Sequence, residues 1–243
     1  MKEALQALIF DVDGTLADTE RVHLAAFNHA FAQEGLDWHW DEPLYTRLLE
    51  ISGGKERMLH YWKATRGDMV DVDGLAVAHT IARLHELKTA YYESMVLDGA
   101  VVLRPGVMAL LEDARRHAVQ LAIATTTSPV NVAALMRAAL GTSWRLNFTA
   151  IGDASTAPLK KPHPQVYRQM LQALKLPGRA CLAFEDSANG LASATAAGIP
   201  TVITPTHFTA HQDFSAALRV LPHLAGVRVR DLLDWRTRQP ATA

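Results

Sequence analysis

The stretch Leu8-Ile9-Phe10-Asp11-Val12-Asp13-Gly14-Thr15-Leu16 reads as a buried strand that ends in two aspartates separated by one residue. Residues two apart on a strand point to the same side. Asp11 and Asp13 therefore converge if the strand holds, although Gly14 marks a turn of the backbone there. Two anions at the end of an apolar strand repel each other unless a cation lies between them or one is protonated. An ordinary Asp-Gly turn is the plain alternative. The full string, with an apolar run before it and Thr15-Leu16 after it, asks for a metal ion, and oxygen ligands of this kind suit Mg2+.

Outward from this strand the chain changes character twice. Residues 19–34, 41–50, 55–65 and 76–96 show helical periodicity, with no convincing strand between them. Beyond Leu103 apolar strands at 121–125, 148–151, 181–184 and 201–204 alternate with helices. One helix, at 106–117, carries Val107, Leu110, Leu111 and Ala114 on one face; another opens at Pro164 with Val166, Met170, Leu171 and Leu174. Such alternation predicts an α/β fold, a Rossmann-like doubly wound parallel sheet covered by helices on both sides. The helical block sits between the first and second strands. The expected division is a core of residues 1–18 and 97–243 and an α-helical cap of residues 19–96, with hinges near 17–19 and 97–103.

In open α/β sheets ligands gather beyond the carboxyl ends of the strands. The second strand ends in Thr125-Thr126-Thr127-Ser128, a dense set of hydroxyl and N–H donors, of which Ser128 before Pro129 reads as a helix cap. Lys161 precedes Pro162, which holds it extended and lets the backbone aim it, whereas Lys160 is expected to face solvent. Glu185-Asp186 follow a buried strand and, with Asp11 and Asp13, complete an oxygen-rich set of metal ligands. These four segments, in this order, resemble the motifs of the haloacid dehalogenase superfamily, and the resemblance covers nearly the whole chain. It implies Asp11 as nucleophile and Asp13 as general acid/base. It implies that the Thr125 hydroxyl and Thr126 backbone bind a phosphoryl oxygen and that Lys161 neutralises charge. Asp186 would be a direct metal ligand and Glu185 a direct or water-mediated one. The inserted block matches the superfamily's helical-cap type.

The cap should select the substrate. Gly53-Gly54-Lys55-Glu56-Arg57 places bare backbone and two cations at a helix start, a phosphate grip or a mere turn. Lys88 falls on the seam Ile81, Leu84, Lys88, Tyr91, Met95; there it either snorkels to water or points between cap and core. Glu20 and His23 stand at the start of the first cap helix, His23 on a face with Phe27 and Ala30. Matching positions in relatives contact substrate, so the resemblance favours a binding role for Lys88 and His23. The cap residues look like the CbbY branch of the superfamily, associated with the Calvin cycle, which implies hydrolysis of xylulose-1,5-bisphosphate and two phosphate sites. The nearest rival is a β-phosphoglucomutase-type isomerase, whose Arg-Ala-Trp after the histidine is replaced here by Leu24-Ala25-Ala26-Phe27. A phosphoglycolate phosphatase would leave the cap cations unexplained, and a non-catalytic binding module could dispense with at least one of Asp11, Asp13, Lys161 and Asp186.

Composition is consistent with this. A net charge of -1 gives no sequence-wide basic field for nucleic acid. No apolar run reaches the roughly 20 residues that span a bilayer. The first strand begins within ten residues of Met1, so no leader peptide is expected. Cys181, the single cysteine, reads as a buried small hydrophobe. A cytoplasmic monomer acting on a small sugar phosphate is expected.

Overall fold

The computed structural model describes residues 4–67, 71–72 and 75–237. In chain order the elements are β1 (Ala7–Phe10), α1 (Glu20–Gln33), α2 (Glu42–Leu48), α3 (Gly54–Arg66), β2 (Asp71–Val72), β3 (Leu75–Ala76), α4 (Val77–Leu97) and α5 (Val107–Arg116). Then follow β4 (Gln120–Ala124), α6 (Pro129–Leu140), β5 (Ala150–Gly152), α7 (Gln165–Leu174), β6 (Cys181–Glu185), α8 (Ala188–Ala196), β7 (Thr201–Ile203), β8 (Arg219–Val220) and α9 (Val229–Thr237).

One sheet runs in the order β5-β4-β1-β6-β7-β8, every pair parallel. Its central strands are buried along their whole length because helices cover both faces. One apolar layer joins Leu8 and Phe10 to α5, α6 and α9; the other joins Ala7 and Ile9 to α7. Register sets the site. Phe10 lies level with Ile123 on one side and Phe184 on the other, so the next residue on each strand, Asp11, Ala124 and Glu185, shares one edge.

The insertion between β1 and β4 has its own aromatic cluster, including Phe27, Phe31, Trp38, Trp40, Tyr45 and Trp62. Phe208, from the loop after β7, packs edge-on against Tyr45 within it, the ring centroids 5.9 Å apart. Asn189 Nδ2 donates to the Glu50 carbonyl at 2.9 Å, a second tie between the insertion and the sheet edge. The two chain crossings lie side by side: Ala17 forms an antiparallel bridge with Leu103, and Arg104 N donates to Leu16 O at 2.8 Å.

Three expectations shift. A two-stranded ribbon, β2 with β3, stands between the helices predicted at 55–65 and 76–96, where no strand was expected; strands of two residues are too short to show an alternating pattern. The strand predicted at 148–151 forms at Ala150–Gly152. The buried seam of α4 runs through Ile81, Leu84, Lys88, Tyr92 and Val96; successive steps of four turn it about 40° each around the helix, so the buried face winds toward its neighbours instead of staying on the line that alternating steps of three and four would draw. Tyr91 and Met95 are only partly buried. Ser128 does cap α6, its Oγ accepting from Asn131 N at 3.3 Å.

Candidate active site

The carboxyl edge of the sheet gathers three buried acids. Carboxylate oxygens of Asp11, Glu185 and Asp186 all lie within 4.8 Å of one another. Lys161 Nζ stands among them, donating to Asp11 Oδ1 and Glu185 Oε1 at 2.6 Å each and to the Ala124 carbonyl at 2.8 Å. Tyr167 of α7 donates its hydroxyl to the same Glu185 Oε1 at 2.6 Å. Two glycines make room. A Cβ at Gly190 would fall 1.9 Å from Glu185 Oε2, and one at Gly14, whose φ is +76°, would fall 2.3 Å from Asp186 Oδ2. Burial, reinforced by the neighbouring carboxylates, pushes Asp11 and Asp186 well above the usual carboxylate range, with Lys161 opposing. Burial lowers Lys161, but the attraction of Asp11 and Glu185 exceeds it and raises the ammonium.

One ammonium does not balance three carboxylates, and Glu185 Oε2 is buried with no hydrogen-bond partner. An orphaned hard oxygen beside two more fits a hard divalent cation such as Mg2+. The side chain of Asp13 is not part of this group. It accepts from Thr19 Oγ1 at 2.7 Å and from His23 Nε2 at 3.0 Å. Lys88 Nζ donates to His23 Nδ1 at 2.8 Å, which leaves the imidazole proton on Nε2, facing Asp13. Burial pushes the Asp13 carboxyl up, but its interaction with His23 and the Thr19 hydroxyl outweighs this and holds it at about 2. Burial lowers Lys88 to about 8, against the pull of Asp13.

Every residue singled out from the sequence lines one cleft of about 390 Å³. Thr125 is buried; its N–H donates to Gly152 O at 3.0 Å and its Oγ1 accepts from Thr127 N at 3.2 Å, so its own proton remains available. Thr126 is beside it. At the far end lie Gly53 and Gly54, the start of α3, with exposed Lys55. Arg57 is more committed than its motif suggested. Its Nε donates to Leu48 O at 3.0 Å, Nη1 to Tyr45 Oη at 3.2 Å and Nη2 to Ile51 O at 3.3 Å, so it holds the loop before α3. Tyr45 in turn donates to Glu20 Oε2 at 2.7 Å.

Lys160, expected in solvent, instead lines the cleft, half-buried and donating to Ala154 O at 3.2 Å; the loop that aims Lys161 away from it turns Lys160 toward the insertion. Sequence reasoning also missed His85, Tyr167 and Arg104. Arg104 donates through Nη1 to Gly14 O and through Nη2 to Pro205 O at 2.9 Å, tying the loop after Asp13 to the end of β7. Only the Arg-Pro-Gly turn around Arg104 left any sequence signal.

A family model for haloacid dehalogenase-like hydrolases matches residues 5–198. The chain belongs to that family. Within it, the chain is 56% identical over 220 residues to the plasmid protein CbbY of Cupriavidus necator, covering 90% of this chain and 86% of that one. It is 47% identical to CbbY of Rhodobacter capsulatus, over 91% and 94% of the two chains. A crystal structure of an aspartate-to-asparagine mutant of CbbY from Rhodobacter sphaeroides in complex with xylulose-1,5-bisphosphate superposes with a TM-score of 0.84 at 40% identity, covering 91% of this chain and 96% of that one. This haloacid dehalogenase-like hydrolase is therefore an enzyme of the CbbY type, a phosphatase. Among the described residues no helix is long and apolar enough to cross a membrane.

Proposed function

We propose that the enzyme is an Mg2+-dependent sugar bisphosphate phosphatase, acting on xylulose-1,5-bisphosphate through an aspartyl-phosphate on Asp11. The observation that carries this is the two-ended cleft, with Asp11 and Lys161 at one end and Lys55 and Lys160 together toward the other. A substrate with phosphate at both ends of a short sugar fits that charge pattern. The crystal structure of the relative with xylulose-1,5-bisphosphate supports the choice of sugar. In this reading residues 1–18 and 97–243 are the phosphotransferase core and 19–96 the cap.

A bound Mg2+, held by Asp11, Glu185 and Asp186, would offset charge on the phosphoryl oxygens. Lys161 fixes Asp11 Oδ1, so the carboxylate is oriented before substrate arrives. Thr125 and the Thr126 N–H hold a phosphoryl oxygen. Asp11 attacks phosphorus and the bond to the sugar oxygen breaks; that oxygen takes a proton through Asp13, whose resting carboxylate is supplied with it along the line from the Lys88 ammonium through His23. Asp13, returned to its carboxylate, then accepts a proton from the water that cleaves the aspartyl-phosphate. His23 and Lys88, hydrogen-bonded in line behind Asp13, keep its oxygen directed at the leaving group.

The test is phosphate release with Mg2+ from xylulose-1,5-bisphosphate, sugar monophosphates and phosphoglycolate. The bisphosphate should have the highest kcat/KM. Interconversion of sugar phosphates without release of phosphate overturns the proposal in favour of a mutase.

A further inference from the structure

Tyr167 stands in the first turn of α7 and is fully buried, in the apolar layer that holds Ile9, Ala183 and Met170. Its hydroxyl donates to Glu185 Oε1 at 2.6 Å, and Lys161 Nζ donates to the same oxygen at 2.6 Å. Each oxygen of a carboxylate offers two lone-pair sites. On Oε1 both are taken. On Oε2 neither is used, and that atom is buried without a partner. The carboxylate is held against turning to exchange its two oxygens. Glu185 is 1% exposed, and the backbone of α8 lies so close that a Cβ at Gly190 would fall 2.0 Å from Glu185 Cδ. Glu185 therefore offers a cation one oxygen, Oε2. Lys161 already supplies the countercharge, and a phenylalanine would fill the space of the ring. What the tyrosine adds is the second donor on Oε1.

We infer that Tyr167 is a positioning residue that selects the metal ion: by filling the second site on Glu185 Oε1 it restricts Glu185 to coordination through one oxygen, which favours Mg2+ over Ca2+. Mg2+ demands near-ideal octahedral geometry, which a carboxylate meets with a single oxygen. Ca2+ takes roughly six to eight ligands and accepts a carboxylate through both oxygens. A cluster whose acid is fixed in the one-oxygen form denies Ca2+ that extra bond. The inference rests on the Mg2+-dependent reading above.

The test titrates the EDTA-treated wild type and Tyr167→Phe with Mg2+ or Ca2+ alone and takes apparent Kd values from the rise in Tm. The variant should bind Mg2+ about tenfold more weakly, the loss typical of removing a group that orients a ligand, and Ca2+ no more weakly than the wild type does. The ratio of the two constants then shifts about tenfold toward Ca2+. Ca2+ should also become a stronger inhibitor of Mg2+-supported hydrolysis of an aryl phosphate. Equal weakening of both cations, as a merely structural tyrosine would give, or no change in either, overturns the inference. Wild-type crystals soaked in Ca2+ give a measurement that needs no variant. Glu185 should meet the ion through Oε2 alone, and coordination through both oxygens overturns the inference. A wild type whose Tm responds to neither cation, and whose phosphate release is unchanged by EDTA, overturns the Mg2+-dependent reading itself and this inference with it.

Discussion

Replacing Lys88 with methionine should make the protein more stable and the enzyme worse. Lys88 is 4% exposed, and burial lowers its ammonium from an ordinary 10.5 to about 8. The unfolded chain holds that proton more tightly than the folded one, so stability rises with pH between these two values. At pH 7 the folded protein carries the charged form at a cost of about 3 kcal/mol, since a tenfold change in proton affinity is worth about 1.4 kcal/mol. By pH 10 most of that cost is gone, leaving under about 1 kcal/mol. Methionine has a similar length and no charge, so Lys88→Met should gain up to about 3 kcal/mol at pH 7, or roughly 6–12 °C in Tm for a chain of this size. Urea unfolding of the metal-free proteins at pH 7 and pH 10 measures this, with kcat/KM for phosphate release alongside. The gain should shrink at the higher pH while activity is lost at both, because His23 Nδ1 loses its donor. A variant less stable than wild type at pH 7, or a difference that does not change with pH, would refute the reasoning.

Asp11→Asn should reduce phosphate release by at least about a thousandfold with the fold intact, as loss of an attacking group does; near wild-type hydrolysis would remove Asp11 from the nucleophile's place. Lys161→Met leaves three buried carboxylates without their ammonium, and should cost about 3–5 kcal/mol of stability in EDTA, recovered in part on adding Mg2+. Thermal melts with and without the cation read both effects. Gly190→Ala, which in a helix would ordinarily be stabilising by about 1 kcal/mol, should instead be neutral or destabilising and should lower kcat, because its methyl displaces Glu185 Oε2; an unchanged kcat together with a raised Tm would contradict this. Arg57→Ala should lower Tm through the freed Leu48 and Ile51 carbonyls as well as raise KM, whereas a pure phosphate ligand would change KM alone.

The acids and the hydroxyls were legible because the chemistry needs them at consecutive positions where strands end, and a strand end is visible as an apolar run that stops; Lys161, in the loop after β5, was legible from the proline that follows it. The parallel core was legible for the same reason: buried strands alternating with amphipathic helices leave two different periods in the chain. What the sequence could not carry were choices among neighbours distant in the chain. Asp13 faces Thr19, His23 and, through it, Lys88. Arg57 has the typical appearance of a phosphate ligand in its motif but spends three donors within the protein. Lys160 and Lys161 are adjacent and identical in type, so only the path of the loop decides which reaches Asp11. His85 lies off the seam that periodicity draws along α4, and its closeness to Gly54 belongs to the packing of two helices rather than to either one.

The bridge between Ala17 and Leu103 means that the chain leaves the sheet and returns to it through adjacent points. An insertion attached in this way can be lengthened, shortened or exchanged without altering strand register, since the chain leaves and re-enters the sheet at neighbouring points, so long as a replacement again covers Phe208 and Asn189. Joining residue 17 to residue 103 through a short turn would close the core on itself. The same scaffold could then carry a different lid and act on a different phosphate ester.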